Sequence, residues 1–227
     1  MKSKDLCPPF EWSDRRVMIH DRIWFVPLLH APLHEFTFTG WEHPDLFGNQ
    51  NPIHVEYCSG NGAWIIERAL QNPEINWLAV EIKYQRVSKI WAKIKTLNLP
   101  NLVVVCGEGL NATRKYFPSQ SIARSYINFP DPWPKNKHAK NRLVQLEFTA
   151  EVARILHGEG TFTLVTDDPT YSEQMISMML LSKAFCSEIS APHYRTDVEN
   201  YGSSFFEELW RSRGKQIRFH QFKKVGV

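Results

Sequence analysis

The chain reads as an α/β protein with a doubly wound, mostly parallel sheet and helices on both faces. Three observations predict this. From residue 53 onward, short and nearly all-apolar runs alternate with longer amphipathic ones. The apolar runs lack the in-out alternation of a half-wet strand, as strands covered on both faces do. Turn formers separate the runs, with no internal repeat and no low-complexity linker.

Each element follows from its own residues. "IHVEYC" (53–58) is a predicted strand and "AWIIERALQNP" (63–73) a helix stopped by Pro73. "NWLAVEI" (76–82) is a strand, and "YQRVSKIWAKIKTLNLP" (84–100) a helix with Val87, Ile90, Trp91 and Ile94 on one face. "NLVVVC" (101–106), "IARSYINF" (122–129) and "GTFTLVT" (160–166) are strands. Between and after them, "GLNATRKYF" (109–117), "NRLVQLEFTAEVARIL" (141–156) and "YSEQMISMMLLSKA" (171–184) are helices. "SFFEELWRSRG" (204–214) is helical and "KQIRFHQF" (215–222) a last strand. Residues 1–44 are expected to be an irregular arm, rich in proline and aromatics, with "RIWFVPLL" (22–29) a short strand or extended segment. Residues 45–227 are expected to form the functional domain.

Composition bounds the function. The chain has 227 residues, 43% of them hydrophobic, enough for one sizeable core or two small ones. No apolar run approaches the roughly 20 residues that span a bilayer, and the N-terminus has no apolar signal segment. A cytoplasmic protein without a membrane partner is therefore expected. The 4 cysteines lie far apart without a CxxC, which suits reduced thiols better than disulfides or zinc. The histidines follow no metal-ligand spacing, and no metal site is expected. Net charge is only +3, yet bases cluster after residue 134 and again from Arg211 to the C-terminus. If folding joins them, they make a patch for an anionic polymer; each alone is equally a solvated face.

In open parallel sheets the ligand site lies at the carboxyl ends of the strands. Each of five successive strands carries an acid there: Glu56, Glu81, Glu108 in the loop after residue 106, Asp131, and Asp167 with Asp168. Gly60 and Gly62 form the turn after the first of these strands, where backbone must come close to a ligand. Ile65 stands where the third glycine of a dinucleotide loop would be. Acids at every strand end suit a ligand with a positive centre, hydroxyls and amines. S-adenosylmethionine fits that description better than NAD, whose pyrophosphate needs a helix N-terminus clear of acids.

These residues resemble the bacterial tRNA (guanine-N7)-methyltransferases. "INFPDPWPKNKHAKNRL" is close to that family's PDPWxKxxHxKxR signature, "LFGNQNPIHVEYCSGNG" to its first cofactor motif, "VTDDPTYSEQM" to its T-D-x-x-Y segment, and "SSFFEELWRSRGKQI" to its C-terminal element. The similarity runs from about Asp45 to Ile217 and does not extend to the first 44 residues. Cys58 stands in place of the first glycine of the family's loop, Glu108 in place of an Asp, and Ser204 in place of a Thr.

The resemblance implies a Rossmann-like class I methyltransferase fold, S-adenosylmethionine as donor, and the variable-loop guanine 46 of tRNA as acceptor. It also implies that Glu56, Gly60, Gly62, Glu81, Glu108 and Asp131 hold the cofactor, with Asp131 also catalytic. Lys135, Asp167, Ser204 and Glu207 would bind the substrate, either Asp131 or Asp167 taking the guanine edge. Lys137, Lys140, Arg142, Arg211 and Arg213 are expected on tRNA phosphates, which set register rather than sequence. Trp133 is expected to pack beneath its loop, and His138 to contact phosphate or cap a helix. The chain is expected to work as a monomer or homodimer. Two other readings remain at this point: a class I methyltransferase with another nucleic-acid acceptor, and a non-catalytic RNA-binding relative.

Overall fold

The computed structural model describes residues 1–11, 13–29, 36–199, 201–202 and 205–226. It divides into two compact units, Met1–Tyr116 and Phe117–Val227.

The first unit contains β1 (Met18–His20), β2 (Ile23–Val26), β3 (Ile53–Tyr57), α1 (Ala63–Gln71), β4 (Asn76–Glu81), α2 (Tyr84–Leu97), β5 (Leu102–Gly107) and α3 (Gly109–Tyr116). Its strands lie in the order β1-β2-β5-β4-β3, all parallel except β1. Every residue of β2, β3 and β4 is buried, which is why they read as continuous apolar runs. The register aligns the carboxyl ends: Val26 faces Gly107, Glu81 faces Cys106, and Tyr57 faces Val80.

Helix α1 turns Trp64, Ile65, Ile66 and Ala69 inward, and Trp64 meets Trp77 of β4 edge-on at 5.8 Å. Helix α2 buries Val87, Ile90, Trp91 and Ile94, the predicted face, and stops at Asn98 in the left-handed region. The Asn101 side-chain amide lies 3.0–3.1 Å from the carbonyls of Ala69, Asn72 and Ile75, fixing the turn that leads into β4.

The arm is more ordered than expected. Two strands form within it, and β2 pairs in parallel with β5. Its aromatics make a satellite core: Trp24, fully buried, contacts Phe36, Phe38, Trp41 and Tyr116 with centroids 5.2–5.9 Å apart. Asp21 accepts from Trp91 Nε1 at 3.0 Å and pairs with Lys95 at 2.6 Å, clamping the β1–β2 turn to α2.

The second unit contains β6 (Ile122–Asn128), a 3-10 helix (Asn136–Asn141), α4 (Leu146–Ile155), β7 (Leu156–Thr166), α5 (Pro169–Leu181), β8 (Phe185–Ser187), α6 (Phe205–Ser212) and β9 (Arg218–Lys224). Its strands run β6-β7-β9-β8, with β6 and β7 parallel and the last two pairings antiparallel. The helix expected over 141–156 begins only at Leu146: Asn141 ends the 3-10 helix, and Arg142 and Gln145 are extended. Helix α5 starts earlier than expected. Asp168 caps it, Oδ1 accepting from Tyr171 N at 2.7 Å, and Pro169 fills the first turn, where a missing N–H costs nothing.

Candidate active site

The glycine loop of the first unit is built from backbone conformations more than from side chains. Cys58, Gly60 and Gly62 have φ of 59°, 58° and 76°. At Gly62 a Cβ would come within 2.7 Å of Ile90 Cγ1, so only glycine lets the loop sit this close to α2. Cys58 meets the same left-handed demand with a side chain attached, a conformation that costs an L-residue about 1–2 kcal/mol.

Glu81, buried at the end of β4, holds this loop. Its Oε2 accepts from Gly60 N at 2.9 Å and its Oε1 from Lys83 N at 2.8 Å. Arg86 lies 3.6 Å from Oε2. Each carboxylate oxygen keeps a second lone pair for a ligand hydroxyl. Glu108 plays a similar double part, since its two oxygens accept from Leu110 N at 3.0 Å and Asn111 N at 2.7 Å at the start of α3. Glu56, 2% exposed, lies in β3 just before the glycine loop, where Ser59 Oγ donates to its carbonyl at 2.8 Å.

These acids act on the thiols between them. Burial first, then the charges of Glu81, Glu56 and Glu108, push the Cys58 thiol up to about 12. Burial and Glu81 push Cys106 up to about 12 as well. Neither is a nucleophile at neutral pH. The same negative field favours a cationic ligand over a phosphate.

A cavity of about 190 Å3 opens at the ends of β2, β4 and β5. Its wall is mainly apolar, from Phe25, Val26, Pro27, Leu28 and Ile82, with Phe10, Arg15, Tyr84 and Glu108 completing it.

In the second unit, the loop after β6 is held from several sides. Phe129 has φ of 50° and donates its N–H to Val165 O at 2.9 Å. Asn128 beneath it accepts from the Tyr201 hydroxyl at 2.7 Å. Asp131 is exposed, and its Oδ1 accepts from Trp133 N at 3.3 Å. Trp133, half-buried with φ of 43°, meets the His138 ring edge-on at 5.8 Å. Lys135, Lys137 and Lys140 are exposed.

Arg142 corrects the sequence reading. It is 5% exposed and so is not offered to a phosphate. Its Nε donates to Pro132 O at 2.7 Å, its NH1 donates to Gln174 Oε1 at 2.6 Å, and its guanidinium lies 5.0 Å over the Tyr171 ring. It braces the loop that carries Asp131.

Asp167 forms an ion pair with Lys215, whose Nζ also lies 3.9 Å over the Trp210 ring. Arg213 covers the same ring at 5.2 Å. Glu207 on α6 accepts from Arg211 Nε at 3.0 Å. Asp168 is a helix cap, and Ser204 lies outside the described residues. Sequence reasoning missed Phe10, Arg15 and Tyr84. Phe10 and Arg15 lie in the arm, whose richness in aromatics does not reveal its partner, and Tyr84 opens α2 with no motif around it. Among the described residues no group of three His, Cys, Asp or Glu is placed to hold a metal, and no helix is long and apolar enough to cross a membrane.

Residues 50–219 match the family described as "Putative methyltransferase". The tRNA (guanine-N(7)-)-methyltransferase of Chlamydia felis is 43% identical over 227 residues, covering 100% of this chain and 99% of that protein. Two solved structures share the fold. The 16S rRNA methyltransferase KamB has a TM-score of 0.61 at 16% identity, covering 84% of this chain and 96% of its own. A SAM-dependent methyltransferase from Aquifex aeolicus has a TM-score of 0.53 at 13% identity, covering 78% and 85%. An acid-lined glycine loop at the carboxyl ends of parallel strands, on this fold, defines a class I S-adenosylmethionine-dependent methyltransferase. Identity along the whole chain narrows that class. The chain belongs to the tRNA (guanine-N(7)-)-methyltransferase family.

Proposed function

We propose that this protein methylates N7 of the variable-loop guanine 46 of tRNA, with residues 45–227 as the methyltransferase domain. The observation that carries the reading is the loop after β6. Asp131 is exposed at the strand end between two left-handed residues, Phe129 and Trp133, and three exposed lysines follow.

Guanine N7 already carries an in-plane lone pair, so no general base is required. S-adenosylmethionine, when bound, supplies a methyl group on a sulfonium. The chain's own work is alignment and charge. Asp131 accepts from guanine N1–H and N2–H2 together and stabilises the positive charge that develops on the ring. Adenine lacks that donor pair and leaves the acid unpaired. Asp131 is the better candidate for this edge, because Asp167 is engaged by Lys215. Lys135 and Glu207 flank the base. Lys137, Lys140, Arg211 and Arg213 meet phosphates.

The fit to the donor rests on the loop geometry. Gly60 and Gly62 bring backbone close, Glu81 offers its spare lone pairs to ribose hydroxyls, and Glu108 accepts from an amine. Glu56 lies in the same negative field that acts on Cys58, suited to the donor's ammonium. Free cysteines, two of them exposed, support a reducing cytoplasmic setting. Gel filtration decides between monomer and homodimer.

The test is to map the methyl group on an unmodified tRNA transcript incubated with the donor. Borohydride and aniline cleave the strand at N7-methylguanosine, and a single cut in the variable loop is expected. Methyl incorporation without that cut would overturn the N7 reading.

A further inference from the structure

The N-terminal arm lies before residues 50–219, the span that the family model matches. Three of its contacts lead to the cavity. The Tyr84 hydroxyl donates to Leu6 O at 2.9 Å, and Tyr84 lines the cavity. Phe10 meets Phe25 of β2 edge-on at 5.2 Å. Strand β2 runs parallel to β5 and delivers Val26, Pro27 and Leu28 to the same edge of the sheet as Glu108.

The approach of β2 to β5 is close enough to restrict the sequence. A Cβ on Gly107 would come within 2.7 Å of Val26 O and 2.9 Å of Val26 Cβ. A glycine at this point of the main sheet is required by the arm, not by a turn of its own.

The cavity's chemistry is that of a slot for a flat heterocycle. At about 190 Å3 it is smaller than the roughly 300 Å3 or more of a site for a whole drug-sized ligand, so it takes one end of a larger molecule. Ile82 and Leu28 in its wall are each 56% exposed, apolar surface that a bound ring would cover. Arg15 adds a planar guanidinium, which stacks on heteroaromatic faces.

We propose that the N-terminal arm is part of the methyl-donor site: Phe10 and Arg15 close the cavity at the ends of β2, β4 and β5 over the donor's purine. The inference rests on the methyl-donor reading. The arm then contributes to donor affinity and leaves the tRNA surface alone.

Calorimetry with S-adenosylhomocysteine and with adenosine, on the full chain, tests this. Phe10→Ala weakens both ligands about tenfold, the range seen when a ring stacked on a base is removed. Arg15→Ala weakens both by a smaller factor. Phe10→Tyr restores affinity, which separates a missing ring from a misfolded arm. The tRNA affinity of each variant stays at the wild-type value. If wild type binds S-adenosylhomocysteine and both alanine variants bind it within about twofold of wild type, the arm has no place in the site. If wild type binds neither ligand, the methyl-donor reading falls, and this inference falls with it.

Discussion

Glu81 accepts the backbone N–H of Gly60 at 2.9 Å on one oxygen and that of Lys83 at 2.8 Å on the other. One side chain therefore fixes both the glycine loop after β3 and the entry to α2. Replacing it with Gln turns one oxygen into a donor that faces an N–H. The expected cost is about 1–3 kcal/mol of stability, the penalty of a buried unmet group. Affinity for S-adenosylhomocysteine should fall at least tenfold, about 1.4 kcal/mol. Thermal melts with and without ligand measure both. Unchanged ligand affinity in a folded variant would remove Glu81 from the donor site.

Asp131→Asn should leave the melting temperature near wild type, because the carboxylate is exposed. Transition-state stabilisation should drop by about 2–4 kcal/mol, as for the loss of one preorganised charge. Single-turnover methylation of a tRNA transcript measures it. A rate within about threefold of wild type would mean that another group holds the guanine.

The bases after Asp131 divide into two kinds, and salt tells them apart. Lys137→Ala with Lys140→Ala should flatten the log–log salt dependence of tRNA binding by about 0.7–0.9 for each phosphate left without its lysine. Arg142→Ala should leave that slope alone. Its removal strips Pro132 O and Gln174 Oε1 of their donor, destabilising the protein by about 3 kcal/mol. A reduced slope in a folded Arg142→Ala protein would return that residue to the RNA surface.

Cys58→Gly should stabilise the protein. The position has φ of 59°, which glycine adopts without a Cβ penalty. A gain of about 1 kcal/mol is expected, less the packing that the thiol supplies. Chemical denaturation of the two proteins gives the difference. A lower midpoint for the glycine variant would mean that the thiol's packing outweighs the backbone cost.

His220 makes the fold sensitive to acid. The ring is fully buried, with Nε2 3.2 Å from Ser172 Oγ and Nδ1 3.0 Å from His193 O. Burial, with Arg218 nearby, lowers it from 6.5 to about 4. The unfolded chain thus takes up a proton first. Stability from this group is intact above pH 6.5, declines as pH falls, and is lost by about pH 4, a change of roughly 3 kcal/mol. Urea midpoints across that window should drop less steeply for His220→Gln. Parallel pH profiles for the two proteins would show that other groups set the acid limit.

The central strands were legible because burial on both faces leaves a continuous apolar run, and the parallel topology tells where such strands must carry their ligand residues. That is how Glu56, Glu81 and Glu108 could be placed at or beside strand ends without coordinates. Strands β1 and β8, three residues each, have too few positions to show a pattern. Arg142 misled for a different reason. A charge in a basic run carries no mark of burial, and its partner Gln174 comes 32 residues later. Phe10 and Arg15 were out of reach altogether, since nothing near them in sequence points to Glu108.

The pairing of Ile23 with Val104 has a consequence for biosynthesis. Strand β2 leaves the ribosome early, yet its partner emerges only after β3, α1, β4 and α2 have been made. The arm's apolar strand must wait through that interval with its edge uncovered, a long-range closure of the slow kind. A nascent chain stopped short of β5 holds the glycine loop and the acid that ties it, but not the wall made by β2. The wall of the proposed donor site is therefore completed only once β5 has emerged, near the middle of the chain, when the earliest part of the chain finally docks.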